Sequence, residues 1–185
     1  PLVRPVVFFA VPRVYEKLWD RFQGSGAGRR YLTWTGFRRA LVRPFLRRGL
    51  LRATGLDRCA QLLVGSASAS APLLRSFQEL GIEVHDAYGL TEAPLVTLNR
   101  VGRNRIGTVG GPLPDTEVRI AGDGEVLVRG PQVTKGYVGD IDQPFREGWL
   151  ATGDLGRRTE AGALVIEGRK KELIKTSYGK YVRAT

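Results

Sequence analysis

The pentapeptide Tyr88-Gly-Leu-Thr-Glu92 gathers an aromatic ring, a hydroxyl and a carboxylate around a glycine. Core packing does not ask for that mixture. It follows the apolar-flavoured run Gly81–Ala87, so the polar groups stand where a strand ends. Upstream, Gly65-Ser-Ala-Ser-Ala-Ser-Ala71 offers only small side chains, which let a flat ligand approach the backbone. Two later segments add Asp154, in Thr152-Gly-Asp154, and Arg169, in Gly168-Arg-Lys-Lys-Glu172. Each has a plain reading when taken singly. Tyr88 is then a half-buried strand-end aromatic, Glu92 a first-turn carboxylate favoured by a helix dipole, Asp154 a turn residue and Arg169 a surface charge. Together they offer a ring to stack, a hydroxyl to hydrogen-bond and carboxylates to accept. That is ligand-binding chemistry.

The elements that position these groups are legible between residues 60 and 87. A strand over about Ala60 to Val64, a helix over about Pro72 to Leu80 and a strand from Glu83 to Ala87 make a βαβ unit. Ser70 suits the N-cap, Pro72 the first turn and Gly81 the stop. Such strands run parallel with a right-handed crossover, and ligands bind beyond their carboxyl ends. The loops after both strands should therefore leave one edge of the sheet. His85, the only histidine, lies mid-strand with no partner visible in the sequence and reads as structural.

Further upstream, Pro5–Val11 reads as a short strand and Pro12–Phe22 as a helix, with Gln23–Arg30 as a flexible loop. Residues 37–53 place arginines beside leucines at helical spacing, a basic amphipathic helix interrupted near Pro44. Beyond Asn99 the pattern becomes β-rich. Thr116–Gly130 is a hairpin about a Gly-Asp-Gly turn, and Gly148–Arg169 a second, turning at Thr159–Gly162. The expected organisation is a partial α/β lobe over 1–100, a small β-barrel-like lobe over 101–167, and a hinge with the start of a lid over 168–185.

With 185 residues, 42% of them hydrophobic and 25% charged, the chain is of globular composition. No apolar run approaches the roughly 20 residues of a membrane-spanning helix. The single cysteine, Cys59, excludes an internal disulfide, suits a reducing cytoplasm and reads as a structural thiol. The net charge is +11, carried by 23 arginines and six lysines, nine of the arginines between Arg29 and Arg58. With no aromatic-interleaved basic strand and no zinc-ligand spacing, nucleic acid is not the expected partner. The arginine-rich helix reads as a solvated face or as a contact with an anionic surface, either a membrane bound peripherally or a polyanionic ligand.

Four further blocks occur in order with Tyr88–Glu92: Gly107–Pro114, Gly124–Tyr137, Gly148–Gly156 and Glu167–Val182. This series resembles the adenylate-forming superfamily of acyl-CoA synthetases, luciferases and adenylation domains. The opening Val6–Trp19 is similar to the block of long-chain and bubblegum-type fatty acyl-CoA synthetases. The resemblance implies a two-step reaction. A fatty acid carboxylate attacks the α-phosphate of ATP, giving acyl-adenylate and pyrophosphate, and coenzyme A then displaces AMP. It also implies a magnesium ion, since an anionic nucleophile must approach a polyanion.

Carried over by motif, Tyr88 would stack on adenine, Thr91 would hydrogen-bond the α-phosphate and Glu92 would hold the magnesium. Gly65, Ser66 and Ala67 would wall the adenine pocket and the mouth of the acyl site, with Asp86, Ala87, Gly89 and Ile166 also lining the nucleotide. Asp154 would accept from the ribose diol, as a carboxylate can accept two bonds, and Arg169 would reach the same ribose. Lys171 matches the family's hinge, beyond which Glu172–Thr185 would open the lid. Tyr178 stands where the family commonly has a small residue.

The family's Gly/Ser/Thr-rich phosphate loop ending in Pro-Lys, and its late lid lysine, are not among the 185 residues. The expectation is thus the middle of a longer cytoplasmic ligase, inactive in isolation. The alternatives are a fatty acyl-AMP ligase serving a carrier protein and a non-catalytic nucleotide- or lipid-binding remnant.

Overall fold

Four consecutive side chains of the run Gln61–Val64 alternate half-buried and buried, the signature of a strand with one face against a core. In the computed structural model, which describes residues 3–139, 144–175 and 181–183, this strand is β2. It pairs in parallel with β1 (Val7–Ala10) and with the start of β3 (Val84–Leu90). Between β2 and β3 lies α4 (Ala71–Glu79), with Ser70 at the N-cap position but its hydroxyl making no capping bond, Pro72 in its first turn and Gly81 beyond it at φ +84. The predicted βαβ unit is present. The register sets Val64 opposite Asp86, so the loop at Gly65 leaves from the carboxyl edge of the pair.

Three helices precede β2: α1 (Pro12–Gly24), α2 (Gly26–Thr33) and α3 (Gly36–Thr54). The helix α2 corrects the expected flexible loop. Ser25 caps it by accepting from the Gly28 N–H at 3.0 Å, and Tyr31 anchors it, fully buried, with its hydroxyl donating to the Glu79 carbonyl at 2.9 Å. A capping serine and one large anchor outweigh three glycines. α3 is also unbroken, with Pro44 inside it. Proline removes one backbone bond there, and tertiary contacts compensate. Val42, Leu46, Leu50 and Leu51 pack half-buried against the core, and Arg39 pairs with Glu79 at 2.6 Å while lying over the Tyr31 ring. No residue of α3 is fully buried. Gly55, at φ 76, ends it with a left-handed cap.

This first core joins Tyr15, Trp19, Phe22 and Phe77, whose rings meet edge-on or tilted 5.2–5.9 Å apart. His85 is buried in the same unit and has partners after all. Its ring nitrogens lie 3.2 Å from the Leu62 carbonyl and 3.2 Å from Glu83 Oε2. Glu83 lies immediately before β3, two residues from His85, and supplies that carboxylate. Cys59 donates its thiol to the Pro5 carbonyl at 3.1 Å, as a structural thiol does.

β3 does not stop at Ala87. It continues to Leu90, turns at Thr91–Glu92 and returns as β4 (Ala93–Leu98), which pairs with β5 (Gly111–Pro112). Gly89 sits at a bulge in this hairpin, where a Cβ would meet the Pro94 carbonyl oxygen at 2.2 Å. That close approach is why the motif holds a glycine.

The second sheet is built of the two predicted hairpins, β6 (Glu117–Ile120) with β7 (Glu125–Arg129) and β9 (Trp149–Arg158) with β10 (Leu164–Arg169). β7 pairs with β9, and the short β8 (Phe145–Arg146) with the start of β9. The order β10-β9-β7-β6 leaves this sheet open, where a barrel-like lobe was expected. Ten-residue β9 takes partners on both sides, but β6 and β10 do not meet. A 3-10 turn (Lys170–Glu172) and the ladder of β11 (Leu173–Lys175) with β12 (Tyr181–Arg183) follow. Tyr178 lies outside the described residues.

The chain divides into two compact units, Pro1–Asp86 with Arg100–Gly107, and Ala87–Asn99 with Thr108–Thr185. The change of sequence pattern suggests one cut near residue 100, whereas this division runs through β3.

Candidate active site

Asp154 belongs to β9, where side chains alternate inward and outward. The preceding Gly153 adopts φ +71, and the Asp154 N–H donates to Thr152 Oγ1 at 3.1 Å. This turns the carboxylate inward, 4% exposed. Two donors meet it there. Tyr88 Oη donates to Oδ2 at 2.6 Å, and Arg169 Nε lies 2.9 Å from Oδ1. Arg169 comes from β10 and reaches Asp154 because the two are register partners across the hairpin, after the bulge between Ile166 and Gly168. Burial, reinforced by the bond to Asp154, pushes the Tyr88 phenol far above its ordinary range. At pH 7 the phenol is therefore a donor and Asp154 the acceptor.

Behind this trio stands a group the sequence did not reveal. Glu125, at the head of β7 and 3% exposed, accepts from the Gly153 N–H through Oε1 at 3.0 Å. Its Oε2 meets Lys170 Nζ at 2.8 Å and Arg146 Nη1 at 3.4 Å. Lys170 also bonds Asp123 Oδ2 at 2.6 Å, which raises the lysine's pKa and lowers the aspartate's. Glu125 thus holds the backbone immediately before Asp154.

A cleft of about 500 Å³ opens beside these residues, lined by Glu92, Glu125, Tyr137, Arg146, Arg169 and Lys171 among others. The volume lies within the range of small-molecule pockets. Glu92, in the β3–β4 turn, is half-buried, and its Oε1 accepts from the Tyr137 hydroxyl. The Thr134 N–H donates to the Glu92 carbonyl at 2.7 Å, fixing the turn from the backbone side. The lining carries both signs, with the cations Arg146, Arg169 and Lys171 in excess over Glu92 and Glu125.

The family model for AMP-binding enzymes matches residues 3–138. The chain belongs to the AMP-binding enzyme family. Its relatives agree. It is 34% identical to the long-chain-fatty-acid–CoA ligase FadD15 of Mycobacterium bovis over 97% of this chain and 34% of that protein. It is 31% identical to human long-chain-fatty-acid–CoA ligase 6 over 96% of this chain and 30% of that one. The chain spans about a third of the length of the relatives it matches. The fold is that of adenylate-forming ligases. The o-succinylbenzoate coenzyme A synthetase of Bacillus subtilis in complex with ATP and magnesium superposes with a TM-score of 0.70 at 24% identity, over 97% of this chain and 34% of that one.

The expected site residues are dispersed over both units. Tyr88, Asp154 and Arg169 are joined directly, and Glu92, Arg169 and Lys171 line one cleft. Thr91 is exposed in the turn beside Glu92, while Ile166, at the β10 bulge, packs half-buried against the buried cluster that holds Tyr88, Val96, Val126 and Leu164. Gly65, Ser66, Ala67 and Asp86 lie in the first unit. There Gly65 and Asp86 are buried, whereas Ser66, in the left-handed region at φ 66, and Ala67 are exposed. Glu125, Lys170, Tyr137 and Arg146 were not anticipated as site residues. The one signal for Glu125 was a carboxylate directly ahead of the apolar run Val126-Leu-Val128.

Proposed function

We propose that the cleft of the second unit binds ATP, and that the chain serves the AMP-forming activation of a long-chain fatty acid to its coenzyme A thioester. The observation that carries this reading is the disposition of Asp154. It is a buried carboxylate offering about four lone-pair positions, of which Tyr88 and Arg169 use two, and its neighbours Gly153 and Arg169 lie on the lining of a cleft that carries three cations. Two positions remain for a vicinal diol, and the cations suit a polyphosphate. The substrate class follows the names of the relatives.

The residues present also fit a magnesium ion. Among the described residues no three potential ligands are gathered into a cage. Magnesium held jointly with substrate phosphates needs only one or two protein carboxylates, and Glu92 supplies one on the cleft lining. The ion's contribution when bound is to offset charge on the departing pyrophosphate. In this reading Tyr88 flanks the adenine, Asp154 and Arg169 take the ribose, and Thr91 donates to the α-phosphate. Lys171, exposed at the 3-10 turn, is where the backbone rotates between the two half-reactions.

Equilibrium dialysis of labelled ATP with magnesium against the 185-residue chain tests the binding step. Saturable binding that weakens about tenfold in Asp154→Ala is expected, the scale of one lost hydrogen-bonding contact. Absence of saturable binding, or equal binding by the variant, overturns the reading.

A further inference from the structure

Between Asp20 and Asp57 the sequence holds nine arginines and no carboxylate. Within that stretch α3 exposes large apolar side chains that a solvated helix has no use for. Phe37 is 81% exposed, Leu41 59% and Phe45 75%. Spaced by four, they form one stripe, and the next residues on the same side of the helix are Arg48 and Arg52, both exposed. The opposite side, through Val42, Leu46 and Leu50, is the one packed on the core, so the stripe is not a core face turned outward by chance of register. Phe45 also borders an apolar groove of about 380 Å³, shared with Leu18, Phe22, Leu46 and Leu50 of the same unit.

Charge decides what this face fits. Of the arginines on α3, Arg39 pairs with Glu79, while among the described residues no ion pair joins Arg38, Arg43, Arg47, Arg48 or Arg52 to a carboxylate. A purely apolar partner would leave these charges idle, and a neutral aqueous face would not present two phenylalanines. An anionic lipid surface uses both, with aromatic and aliphatic groups at the acyl boundary and guanidinium groups among the headgroups. None of the helices among the described residues is long and apolar enough to cross a membrane, so the contact is one of lying on the surface.

We infer that α3 is a peripheral membrane-docking helix for anionic bilayers, with Phe37, Leu41 and Phe45 inserted and Arg38, Arg48 and Arg52 bound to headgroups. This inference is independent of the ATP reading, since it uses none of those residues.

Sedimentation of the 185-residue chain with vesicles tests it, using phosphatidylcholine alone and with about a third phosphatidylserine. Partition to the acidic vesicles is expected to exceed that to neutral ones by at least tenfold, and to collapse between about 0.1 and 1 M salt. The triple variant Phe37→Ser, Leu41→Ser, Phe45→Ser should lose at least tenfold in partition while keeping its circular dichroism melt, as these side chains lie outside the core. Arg48→Gln with Arg52→Gln should reduce binding to acidic vesicles by about fivefold per arginine and leave neutral vesicles unaffected. Equal binding to both vesicle types, or a triple variant that binds as the wild type, overturns the inference. So does a lipid-free dimer that the triple variant dissociates, without vesicle binding, which assigns the face to a second copy of the chain.

Discussion

The Tyr88 hydroxyl donates to Asp154 Oδ2 at 2.6 Å, joining two buried residues 66 positions apart in the sequence. Tyr88→Phe removes the donor and leaves the carboxylate with Arg169. We expect a loss of about 1.5–3 kcal/mol in urea unfolding, the range for a hydrogen bond to a charged group. A variant within experimental error of the wild type shows that the bond contributes no net stability.

The same phenol fixes a pH dependence. Its folded-state pKa is raised by burial and by Asp154, so its contribution is complete below the unfolded tyrosine value of about 10 and is lost as pH rises above it. Tyr15, buried against Phe8 and Phe77, is raised in the same sense. The denaturation midpoint should therefore hold up to about pH 10 and fall beyond it. Removing both phenols, in Tyr15→Phe with Tyr88→Phe, should flatten that decline. An unchanged alkaline slope in the double variant contradicts the assignment.

Glu125 separates a backbone contact from ion pairing. Glu125→Ala strands the Gly153 N–H and should lower stability by about 1.5–3 kcal/mol, whereas Glu125→Gln keeps a carbonyl acceptor and should lose less than half of that. Lys170→Met removes a cation from Glu125 but leaves it the Gly153 N–H and Arg146, and should cost less than Glu125→Ala. If Lys170→Met proves as damaging as Glu125→Ala, the ion pairs and not the backbone bond hold the segment before Asp154.

Gly89→Ala drives a methyl group into the Pro94 carbonyl oxygen and should destabilise by about 1–3 kcal/mol or more. Gly111→Ala, whose added methyl group would meet only open space, is the control and should be nearly neutral. Equal midpoints for the two variants show that the β3–β4 hairpin relaxes around the bulge.

The sequence made the local pieces readable wherever capping and periodicity agreed. The βαβ unit announced itself through Ser70, Pro72 and Gly81, and both hairpins through alternation about glycine turns. It misled where a local breaker was overruled by distant packing. Three glycines suggested a loop that Ser25 and the buried Tyr31 make a helix, and Pro44 suggested a break that the contacts of Val42 and Leu46 bridge. The motif residues Tyr88, Asp154 and Arg169 were nameable from the chain alone, and the structure joins them. Glu125 and Lys170 were not, because their meeting depends on the β7–β9 and β9–β10 pairings, and no spacing in the sequence encodes a contact between residues 45 positions apart.

Lys170 stands between the residue that grips Asp154 and the residue proposed as the pivot. Its two anchors, at 2.6 and 2.8 Å, clamp the chain just ahead of Lys171. With the pivot proposed at Lys171, a rotation there would begin next to a side chain already tied to Asp123 and Glu125, so Lys170 would stay with the second sheet and not travel with the segment that follows it.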